Sequence, residues 1–251
     1  MTHSFSGLGL RPALLDNLSS LGYTRMTPVQ AECLPHVLKG KDVIVQARTG
    51  SGKTAAFGLG LLQRLDVGRF RVQSMVLCPT RELADQVARE LRRLARAVHN
   101  VKILLLCGGM PFGPQVGSLE HGAHIVVGTP GRLDEHLRKG SLDPAEISCL
   151  VLDEADRMLD MGFQEAIRTI AGFVPKKRQT LLFSATYPDN IRALASDLMR
   201  HPLTVTVDTP TDVSSIRQKF YRIEQNKQRL TALRLLLLKQ RPESALVFCN
   251  M

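Results

Sequence analysis

Seven short apolar runs recur along the first 207 residues, and amphipathic segments separate them. The runs cover residues 42–47, 74–78, 102–107, 124–128, 149–153, 180–184 and 203–207. Runs of this length and composition are typical of strands that are buried on both faces of a sheet. Strands that alternate with helices connect through right-handed crossovers and pair mainly in parallel. The pattern therefore predicts an α/β domain with a mainly parallel central sheet.

A phosphate-binding loop is indicated directly after the first run, at the start of a helical segment. The chain there reads ARTGSGKT, which comprises Ala47, Arg48, Thr49, Gly50, Ser51, Gly52, Lys53 and Thr54. Glycines let backbone N–H groups and a helix N-terminus approach phosphate oxygens closely. We expect Lys53 to reach the β- and γ-phosphates of a nucleotide and the Thr54 hydroxyl to bind Mg²⁺. Ala47 departs from the glycine that usually begins this motif.

A cluster of acidic residues follows the fifth run, where the chain reads Asp153, Glu154, Ala155 and Asp156. Ligands of open α/β sheets bind at the carboxyl ends of the strands. We therefore assign Asp153 to the hydrated Mg²⁺ and Glu154 to the water that attacks the phosphate. The alternative is an acidic cap, because Asp and Glu also favour helix N-termini.

Together with these two motifs, residues 22–30 (GYTRMTPVQ) complete a pattern that resembles DEAD-box RNA helicases. The resemblance implies a three-layer RecA-like domain of the P-loop NTPase class that uses ATP and Mg²⁺. It makes residues 5–30 an adenine-recognising Q motif, with contacts from Phe5, Tyr23, Arg25 and Gln30. A glutamine amide can pair in bidentate fashion with N6 and N7 of adenine. The family often has proline where Met26 stands.

Three further segments match motifs with which the family contacts the RNA backbone. They comprise Pro79, Thr80 and Arg81, then Gly108 and Gly109, then Thr129, Pro130, Gly131 and Arg132. Each segment follows a predicted strand, so all three should emerge at the same edge of the sheet. Backbone contacts position a nucleic acid without reading its sequence. Taken singly, each segment is more typical of a turn or a helix cap, and only their joint occurrence in this order supports the RNA interpretation.

Residues 184–186 resemble the motif that couples nucleotide state to closure of the two helicase lobes. By this resemblance, the hydroxyls of Ser184 and Thr186 are expected to bond toward Asp156. The alternative is an ordinary Ser or Thr cap before the next helix.

The resemblance also predicts the domain organisation. Residues 1–207 form the ATP-binding RecA-like domain, residues 208–216 form a linker, and residues 217–251 begin a second RecA-like domain that is cut short. Within the last segment we expect strands over 218–223 and 245–249 and a helix over 227–239. Its leucines, Leu230, Leu233, Leu236 and Leu237, would lack a partner sheet, so the segment should be disordered, back-folded or dimerising. Because the arginines of the second lobe are missing, we expect this chain alone to hydrolyse little ATP and not to unwind RNA.

Composition bears on the partner and the compartment. Lys and Arg number 33 against 23 Asp and Glu, and the net charge of +10 favours a polyanionic partner. We predict no signal peptide and no membrane span, since no run approaches the ~20 apolar residues that a spanning helix needs. The five cysteines form no CxxC pair and are interpreted as reduced core residues, so a cytoplasmic location is expected.

Within the family, residues 82–97 and 110–113 are most similar to the bacterial DbpA type. That subgroup acts on ribosomal RNA during assembly of the large ribosomal subunit. Two other functions stay open from the sequence: a P-loop motor that acts on DNA or protein, and a non-catalytic RNA-binding or interaction module.

Overall fold

A computed structural model describes residues 3–207, 219–223 and 225–249 of the chain. The chain divides into two compact units, Met1–Thr209 and Pro210–Met251. The first unit contains all of the predicted motifs, and its strands are β1 (Val43–Gln46), β2 (Ser74–Leu77), β3 (Ile103–Leu106), β4 (Ile125–Gly128), β5 (Cys149–Leu152), β6 (Gln179–Ser184) and β7 (Leu203–Thr206).

Helices follow or precede these strands along the whole unit. They are α1 (Pro12–Ser20), α2 (Pro28–Leu38), α3 (Lys53–Arg64), α4 (Arg81–Leu94), α5 (Phe112–Glu120), α6 (Pro130–Arg138), α7 (Ala155–Asp160), α8 (Gln164–Phe173) and α9 (Asp189–Leu198). A short 3-10 helix, Phe5–Leu8, precedes them. Within the part of the chain that the structure describes, no helix is both long enough and apolar enough to cross a membrane.

The seven strands form one sheet in the order β3-β4-β2-β5-β6-β1-β7, and every neighbouring pair is parallel. All seven predicted strands are confirmed, and the sheet is wholly rather than mainly parallel. The prediction that each strand is buried on both faces is wrong for β7, whose residues alternate between half-buried and exposed. β7 lies at an edge of the sheet, and an edge strand has a neighbour on one side only.

Two hydrophobic clusters cover the two faces of the sheet. One joins the sheet to α1, α2, α3 and α4, and it includes the buried ring pair of Phe57 and Phe183, whose centroids lie 5.3 Å apart. The other joins the sheet to α6, α7, α8 and α9, with Met158, Ile167 and Leu194 fully buried. Helices on both faces of one parallel sheet make three layers, so the predicted RecA-like α/β architecture is confirmed.

The second unit contains a 3-10 turn, Asn226–Gln228, and one helix, α10 (Arg229–Gln240). The predicted helix is confirmed, but residues 219–223 and 245–249 have no regular structure, so the strands expected there are not formed in the described residues. A strand is stable only when a neighbour accepts its hydrogen bonds, and the described part of this unit offers none.

Burial in the second unit is correspondingly low. Leu230 is exposed as expected, whereas Leu233 and Leu236 are half-buried.

The five cysteines are free thiols, and four are buried. Cys249 is exposed, so its interpretation as a core residue is wrong, because residues 245–249 do not pack into a sheet. The predicted linker, residues 208–216, lies outside the described residues.

Candidate nucleotide and RNA site

The order of the strands divides the carboxyl edge of the sheet into two halves. β5, β6 and β1 are neighbours, and they carry the acidic cluster, residues 184–186 and the phosphate-binding loop. β3, β4 and β2 are also neighbours, and they carry the three candidate RNA segments. The sheet therefore brings each group of predicted residues together, and the two groups meet between β2 and β5.

The phosphate-binding loop turns sharply between β1 and α3. Gly50 and Gly52 have φ angles of +81° and +92°, a left-handed conformation that favours glycine. A Cβ at Gly52 would lie 2.6 Å from the Gln30 amide nitrogen, so only glycine fits here. Lys53 opens α3 and is buried, and its Nζ donates a hydrogen bond to the Ala47 carbonyl at 3.0 Å. Its ammonium group is thereby held across the mouth of the loop.

Polar contacts inside the loop fix its remaining residues. The Ser51 hydroxyl donates to the Arg48 carbonyl at 2.8 Å, while the Arg48 side chain itself is exposed. The Ala47 N–H donates to the Ser184 carbonyl at 3.0 Å, which links the loop to the end of β6. Thr54, on the first turn of α3, is half-buried.

Gln30 connects the Q motif to this loop. Thr27 and Gln30 form a capping box at the start of α2, in which the Thr27 N–H donates to Gln30 Oε1 at 2.9 Å. Gln30 Nε2 donates to the Gly52 carbonyl at 3.1 Å, and the Thr27 hydroxyl donates to the Ser51 carbonyl at 2.8 Å. Each amide atom of glutamine has capacity for a second hydrogen bond. The amide is therefore held in one orientation and can still pair with a base.

The other Q-motif residues have different environments. Phe5 is buried and packs edge-on against Tyr23, with ring centroids 6.3 Å apart, so it supports Tyr23 from behind. The Tyr23 hydroxyl donates to Glu90 at 2.6 Å. Arg25 is exposed. The buried Met26 donates its N–H to the His3 carbonyl at 2.7 Å, a bond that proline could not make, which explains the departure from the family pattern.

Asp153 and Glu154 follow β5 directly. Asp153 is buried, and burial raises its pKa to about 6, while the neighbouring Lys53 acts in the opposite direction. Glu154 has a left-handed backbone with φ of +52°, which is strained for a residue with a side chain. Its carboxylate accepts a hydrogen bond from Thr49 at 3.1 Å and pairs with Arg157 at 3.4 Å. It makes no side-chain cap to α7, so the capping alternative does not describe Glu154.

Asp156 joins the acidic cluster to residues 184–186. Its Oδ2 accepts hydrogen bonds from the Thr186 hydroxyl at 3.0 Å and from the backbone N–H groups of Ala185 and Thr186 at 3.2 and 3.0 Å. Its own N–H donates to the Ser184 hydroxyl at 3.3 Å. These bonds hold the pKa of Asp156 below its usual value in spite of burial. α9 begins without a side-chain cap from either hydroxyl.

A cavity of about 450 Å³ lies where these segments meet. Its lining includes Tyr23, Gln30, Lys53, Thr54, Asp153 and Glu154. The sequence analysis missed the contribution of α4, whose Gln86, Arg89, Glu90 and Arg93 also line the cavity. These residues recur at helical spacing, which is the signal in the sequence that could have placed them on one face of α4. Arg89 and Arg93 are exposed, and they nevertheless border the site.

The cavity fits a nucleoside triphosphate with Mg²⁺. The cradle at Gly52 has no room for a Cβ, and Lys53 supplies a buried positive charge. Thr54 and Asp153 offer the oxygen ligands that Mg²⁺ prefers. A cation there would favour the charged form of Asp153, which burial disfavours. Among the described residues, no group of three or more His, Cys, Asp or Glu could hold a metal, so phosphate oxygens and water would supply most ligands.

The three candidate RNA segments lie on the neighbouring half of the edge. The Thr80 hydroxyl caps α4 by accepting from the Leu83 N–H at 3.3 Å, and Pro79 is buried before it. The Arg81 guanidinium lies directly over Gly109, where a Cβ would collide with it. The Gly108 N–H donates to the Thr129 hydroxyl at 3.4 Å. The second segment is thus in contact with each of the other two.

The third segment opens α6, and its residues are not equally accessible. Gly131 is exposed, while Pro130 is buried. The Arg132 guanidinium donates to the Met110 carbonyl at 3.0 Å and pairs with Glu135 at 3.1 Å, and its side chain is only 10% exposed. Arg132 therefore braces the loop after β3 in this structure, and its guanidinium is not presented at the surface.

A larger cleft of about 810 Å³ lies at the opposite edge of the sheet. It is lined by residues that precede β2, β4 and β5, among them Phe70 and Ala123. The predicted chemistry is concentrated at the carboxyl edge, where ligands of parallel sheets bind.

Comparison with known proteins agrees with this geometry. A family model for DEAD/DEAH box helicases matches residues 27–194, and the chain belongs to this family. The chain is 56% identical to the ATP-dependent RNA helicase DbpA of Escherichia coli (strain K12), over 98% of this chain and 54% of that protein. It is 45% identical to the DEAD-box ATP-dependent RNA helicase CshA of Bacillus cereus, over 98% of this chain and 46% of that protein.

A solved structure is also similar. A DEAD box protein from the hyperthermophile Methanococcus jannaschii superimposes with a TM-score of 0.78 at 35% identity, over 93% of this chain and 63% of that one. The chain spans about half the length of the curated relatives that it matches.

Proposed function

We propose that this chain is the nucleotide-binding lobe of an ATP-dependent RNA helicase, and that it binds ATP with Mg²⁺ beside an RNA backbone. The observation that carries the proposal is the 450 Å³ cavity, in which Gln30, Lys53 and Asp153 meet although they are far apart in sequence. The adjoining half of the sheet edge presents the three RNA segments, so one edge serves both ligands.

Each side chain of the site has a distinct part in this proposal. ATP with Mg²⁺ supplies the phosphoryl group that is transferred to water, and positioning and charge stabilisation are the work of the protein. Gln30 distinguishes adenine, Lys53 neutralises the phosphates, and Thr54 with Asp153 holds the ion. Glu154 orients the attacking water, because Thr49 and Arg157 already hold its carboxylate beside the loop.

Asp156 is the link between the nucleotide and the rest of the helicase. Four hydrogen bonds tie it to residues 184–186, so a movement of the acidic cluster is transmitted to the end of β6. In the proposed organisation, residues 1–207 form this lobe, residues 208–216 form a linker and residues 217–251 begin a second RecA-like domain. RNA unwinding requires that second lobe, and the chain by itself hydrolyses ATP slowly.

The finer proposal concerns the RNA and the setting. The similarity of residues 82–97 and 110–113 to the DbpA type supports ribosomal RNA as the substrate, with a role in large-subunit assembly in the cytoplasm.

The exposed apolar side chains of the second unit, such as Leu230 and Phe248, support association of two copies through this unit. Light scattering of the chain with and without the residues after 216 measures that association.

The test of the function measures ATP binding by this chain, and ATP hydrolysis by a protein that also carries the second lobe, with single-stranded RNA or single-stranded DNA of the same sequence at matched concentrations. We expect binding of ATP in preference to GTP and stimulation by RNA but not by DNA. Equal stimulation by DNA would indicate a DNA motor. RNA binding that is indifferent to a non-hydrolysable ATP analogue would indicate a non-catalytic RNA-binding module.

Two substitutions assign the chemistry, measured in a protein that also carries the second lobe. Lys53→Ala should weaken nucleotide binding, because it removes the buried positive charge. Glu154→Gln should leave nucleotide binding intact and stop hydrolysis. Normal turnover by the Glu154→Gln variant would show that the attacking water is oriented by another group.

A further inference from the structure

A chain of buried hydrogen bonds runs between the two helices α5 and α6, beneath two of the candidate RNA segments. Gln115 of α5 donates from Nε2 to the Cys107 carbonyl at 3.1 Å, and its Oε1 lies 3.1 Å from Nε2 of His136 on α6. Nδ1 of His136 lies 2.8 Å from the Ser141 hydroxyl. Both Gln115 and His136 are buried. The network therefore crosses the interior from the loop after β3 to the end of α6.

The geometry fixes which atoms carry protons. Since Gln115 donates its amide nitrogen to a carbonyl, its oxygen faces His136 and accepts from Nε2–H. His136 is then the neutral Nε2–H tautomer, and its Nδ1 accepts from the Ser141 hydroxyl. The Gln115 and His136 donors each meet one acceptor, and the Ser141 hydroxyl also lies 3.2 Å from the His136 carbonyl, so the two side chains on the facing helices define one relative placement of α5 and α6. A buried network that is fully paired is rigid, and loss of one member leaves its partner without a hydrogen bond.

Phe112 adds a second contact between the same two helices. Its ring stacks on the His136 ring with centroids 4.3 Å apart and an interplanar angle of 18°. The Lys139 ammonium lies 4.3 Å from the centre of the Phe112 ring, and the Arg132 guanidinium lies 5.6 Å from it. Arg132 also bonds to the Met110 carbonyl. α6 and Lys139, the residue after it, therefore contact the segment from Met110 to Phe112 both at the Met110 backbone and at the Phe112 ring.

The two ends of the network lie next to the candidate RNA segments. Cys107 precedes Gly108 and Gly109, and His136 lies on the helix that Pro130 and Gly131 open. Above the network, a Cβ at Gly108 or Gly131 would meet no atom within 4 Å, whereas one at Gly109 would collide with Arg81. The Gly108 N–H donates to the Thr129 hydroxyl at 3.4 Å, and the Arg132 guanidinium donates to the Met110 carbonyl at 3.0 Å, beside Gly109. The spacing between the two segments is therefore set by these two bonds together with the network beneath them.

We propose that Gln115 and His136 are positioning residues for RNA: they hold the Gly108–Gly109 turn and the N-terminus of α6 at the spacing that lets both contact one RNA backbone. The inference rests on the proposed function, since it assigns these two segments to RNA. It goes beyond that function by placing the determinant of RNA affinity in two buried residues that never touch the RNA. Backbone N–H groups bind phosphate only when their spacing matches that of the phosphates.

The test compares Gln115→Leu and His136→Phe with the original chain. Leucine and phenylalanine keep most of the buried volume, and phenylalanine can still stack on Phe112, so the hydrogen bonds are the main loss. Ser118→Ala is the matched control, because Ser118 lies on the same helix and its hydroxyl bonds only within that helix, to the Pro114 carbonyl. The dissociation constant for a labelled single-stranded RNA is measured with a non-hydrolysable ATP analogue, and that of the analogue is measured separately.

We expect both network variants to bind the RNA roughly tenfold more weakly, which corresponds to about 1.4 kcal/mol, while nucleotide affinity and the Ser118→Ala control stay unchanged. The double variant should bind the RNA no more weakly than whichever single variant binds it more weakly, because the two residues act through one network. Unchanged RNA affinity would overturn the proposal. An equal loss of nucleotide affinity would also overturn it, since the residues would then support the fold in general.

A second measurement does not depend on RNA binding. Hydrogen exchange at Gly108 and Gly109 should be faster in Gln115→Leu, which loses the donor to the Cys107 carbonyl. Exchange as slow as in the original chain would refute the positioning role. If exchange accelerates as expected but the original chain binds no RNA, the proposed function fails and the positioning of the turn still stands.

Discussion

Gly52 shows how one residue can serve two motifs. Its left-handed backbone makes the turn into α3, and the space where its side chain would lie is filled by the Gln30 amide and the Thr27 hydroxyl. The Q motif and the phosphate-binding loop therefore pack against each other at Gly52, where the absence of a Cβ leaves room for the contact. In the proposed function, this contact couples recognition of the base to recognition of the phosphates.

Replacement of Gly52 by alanine should disturb both motifs. The left-handed backbone costs about 1–3 kcal/mol in a residue with a side chain, and the added Cβ must also displace the Gln30 amide. The control is Gly140→Ala, which has a similar φ of +69° but open space around the added atom. We expect both variants to lose stability in urea denaturation, and only Gly52→Ala to lose nucleotide affinity. Equal nucleotide affinity in the two variants would contradict the packing argument.

His136 makes the stability of the domain depend on pH. Burial, together with the charges of Arg132 and Lys139, lowers its pKa to about 4 from an ordinary value of 6.5, and Glu135 opposes this shift. Between these two values the unfolded chain binds the proton and the folded chain does not. The free energy of unfolding must therefore fall as the pH falls from about 6.5 toward 4.

The corresponding measurement is the urea midpoint at pH 5 and at pH 7, for the original chain and for His136→Phe. Other groups also titrate in this range, so the difference between the two proteins isolates the histidine. We expect the original chain to lose more stability between pH 7 and pH 5 than the variant loses. The same loss in both proteins would show that His136 is protonated as readily in the folded state as in the unfolded state.

At the scale of elements, α3 is shaped by two glycines that have no part in the turn before it. A Cβ at Gly60 would lie 2.3 Å from Val37 on α2, and one at Gly58 would lie 2.8 Å from Leu91 on α4. The glycines let the central helix approach both of its neighbours closely. That close packing fixes α3, and with it Lys53 and Thr54 on its first turn, beneath the cavity.

Alanine at Gly60 should destabilise the domain, although alanine favours helices by up to about 1 kcal/mol relative to glycine. Overpacking of a tight helix contact costs about 1–3 kcal/mol, which exceeds that gain. Gly117→Ala is the control, because Gly117 lies within α5 and an added Cβ would meet open space. Thermal unfolding should show a lower Tm for Gly60→Ala and an equal or higher Tm for Gly117→Ala. A higher Tm for Gly60→Ala than for Gly117→Ala would mean that the Val37 side chain moves aside without strain.

At the scale of the whole molecule, the proposed function places two ligands on adjacent strands at one edge of the sheet. The net charge of +10 adds a long-range attraction for polyanions to the contacts that are proposed after β2, β3 and β4. Binding to phosphates releases counterions, so the affinity for RNA must depend steeply on salt.

We expect the logarithm of the affinity for single-stranded RNA to fall linearly with the logarithm of the salt concentration. The slope should be about −0.7 for each phosphate that is contacted. Fluorescence anisotropy between about 50 and 200 mM salt, in the range where this effect is large, measures it. Arg81→Ala should reduce the slope, since Arg81 covers Gly109 at the RNA half of the edge. A slope near zero would exclude backbone contacts as the source of affinity.

The sequence by itself determined the local features of this protein. Each of the seven strands was predictable because a short apolar run is typical of a strand, although β7 is only half-buried, and the phosphate-binding loop was predictable because its left-handed turns demand glycine at Gly50 and Gly52. Since every strand is parallel and each motif follows a strand, the sequence also predicted that the motifs share one edge. These are consequences of composition and spacing over ten residues or fewer.

Only the tertiary structure decided what depends on contacts between distant segments. The strand order, which separates the nucleotide half of the edge from the RNA half, follows from packing of whole helices on two faces. Tertiary packing also decides which face of α4 lines the cavity and that the Arg132 guanidinium bonds to the Met110 carbonyl. It likewise brings Gln115 and His136 together in one hydrogen-bond network. A polar residue in sequence shows its chemistry but not its partner, and the partner is set by the fold.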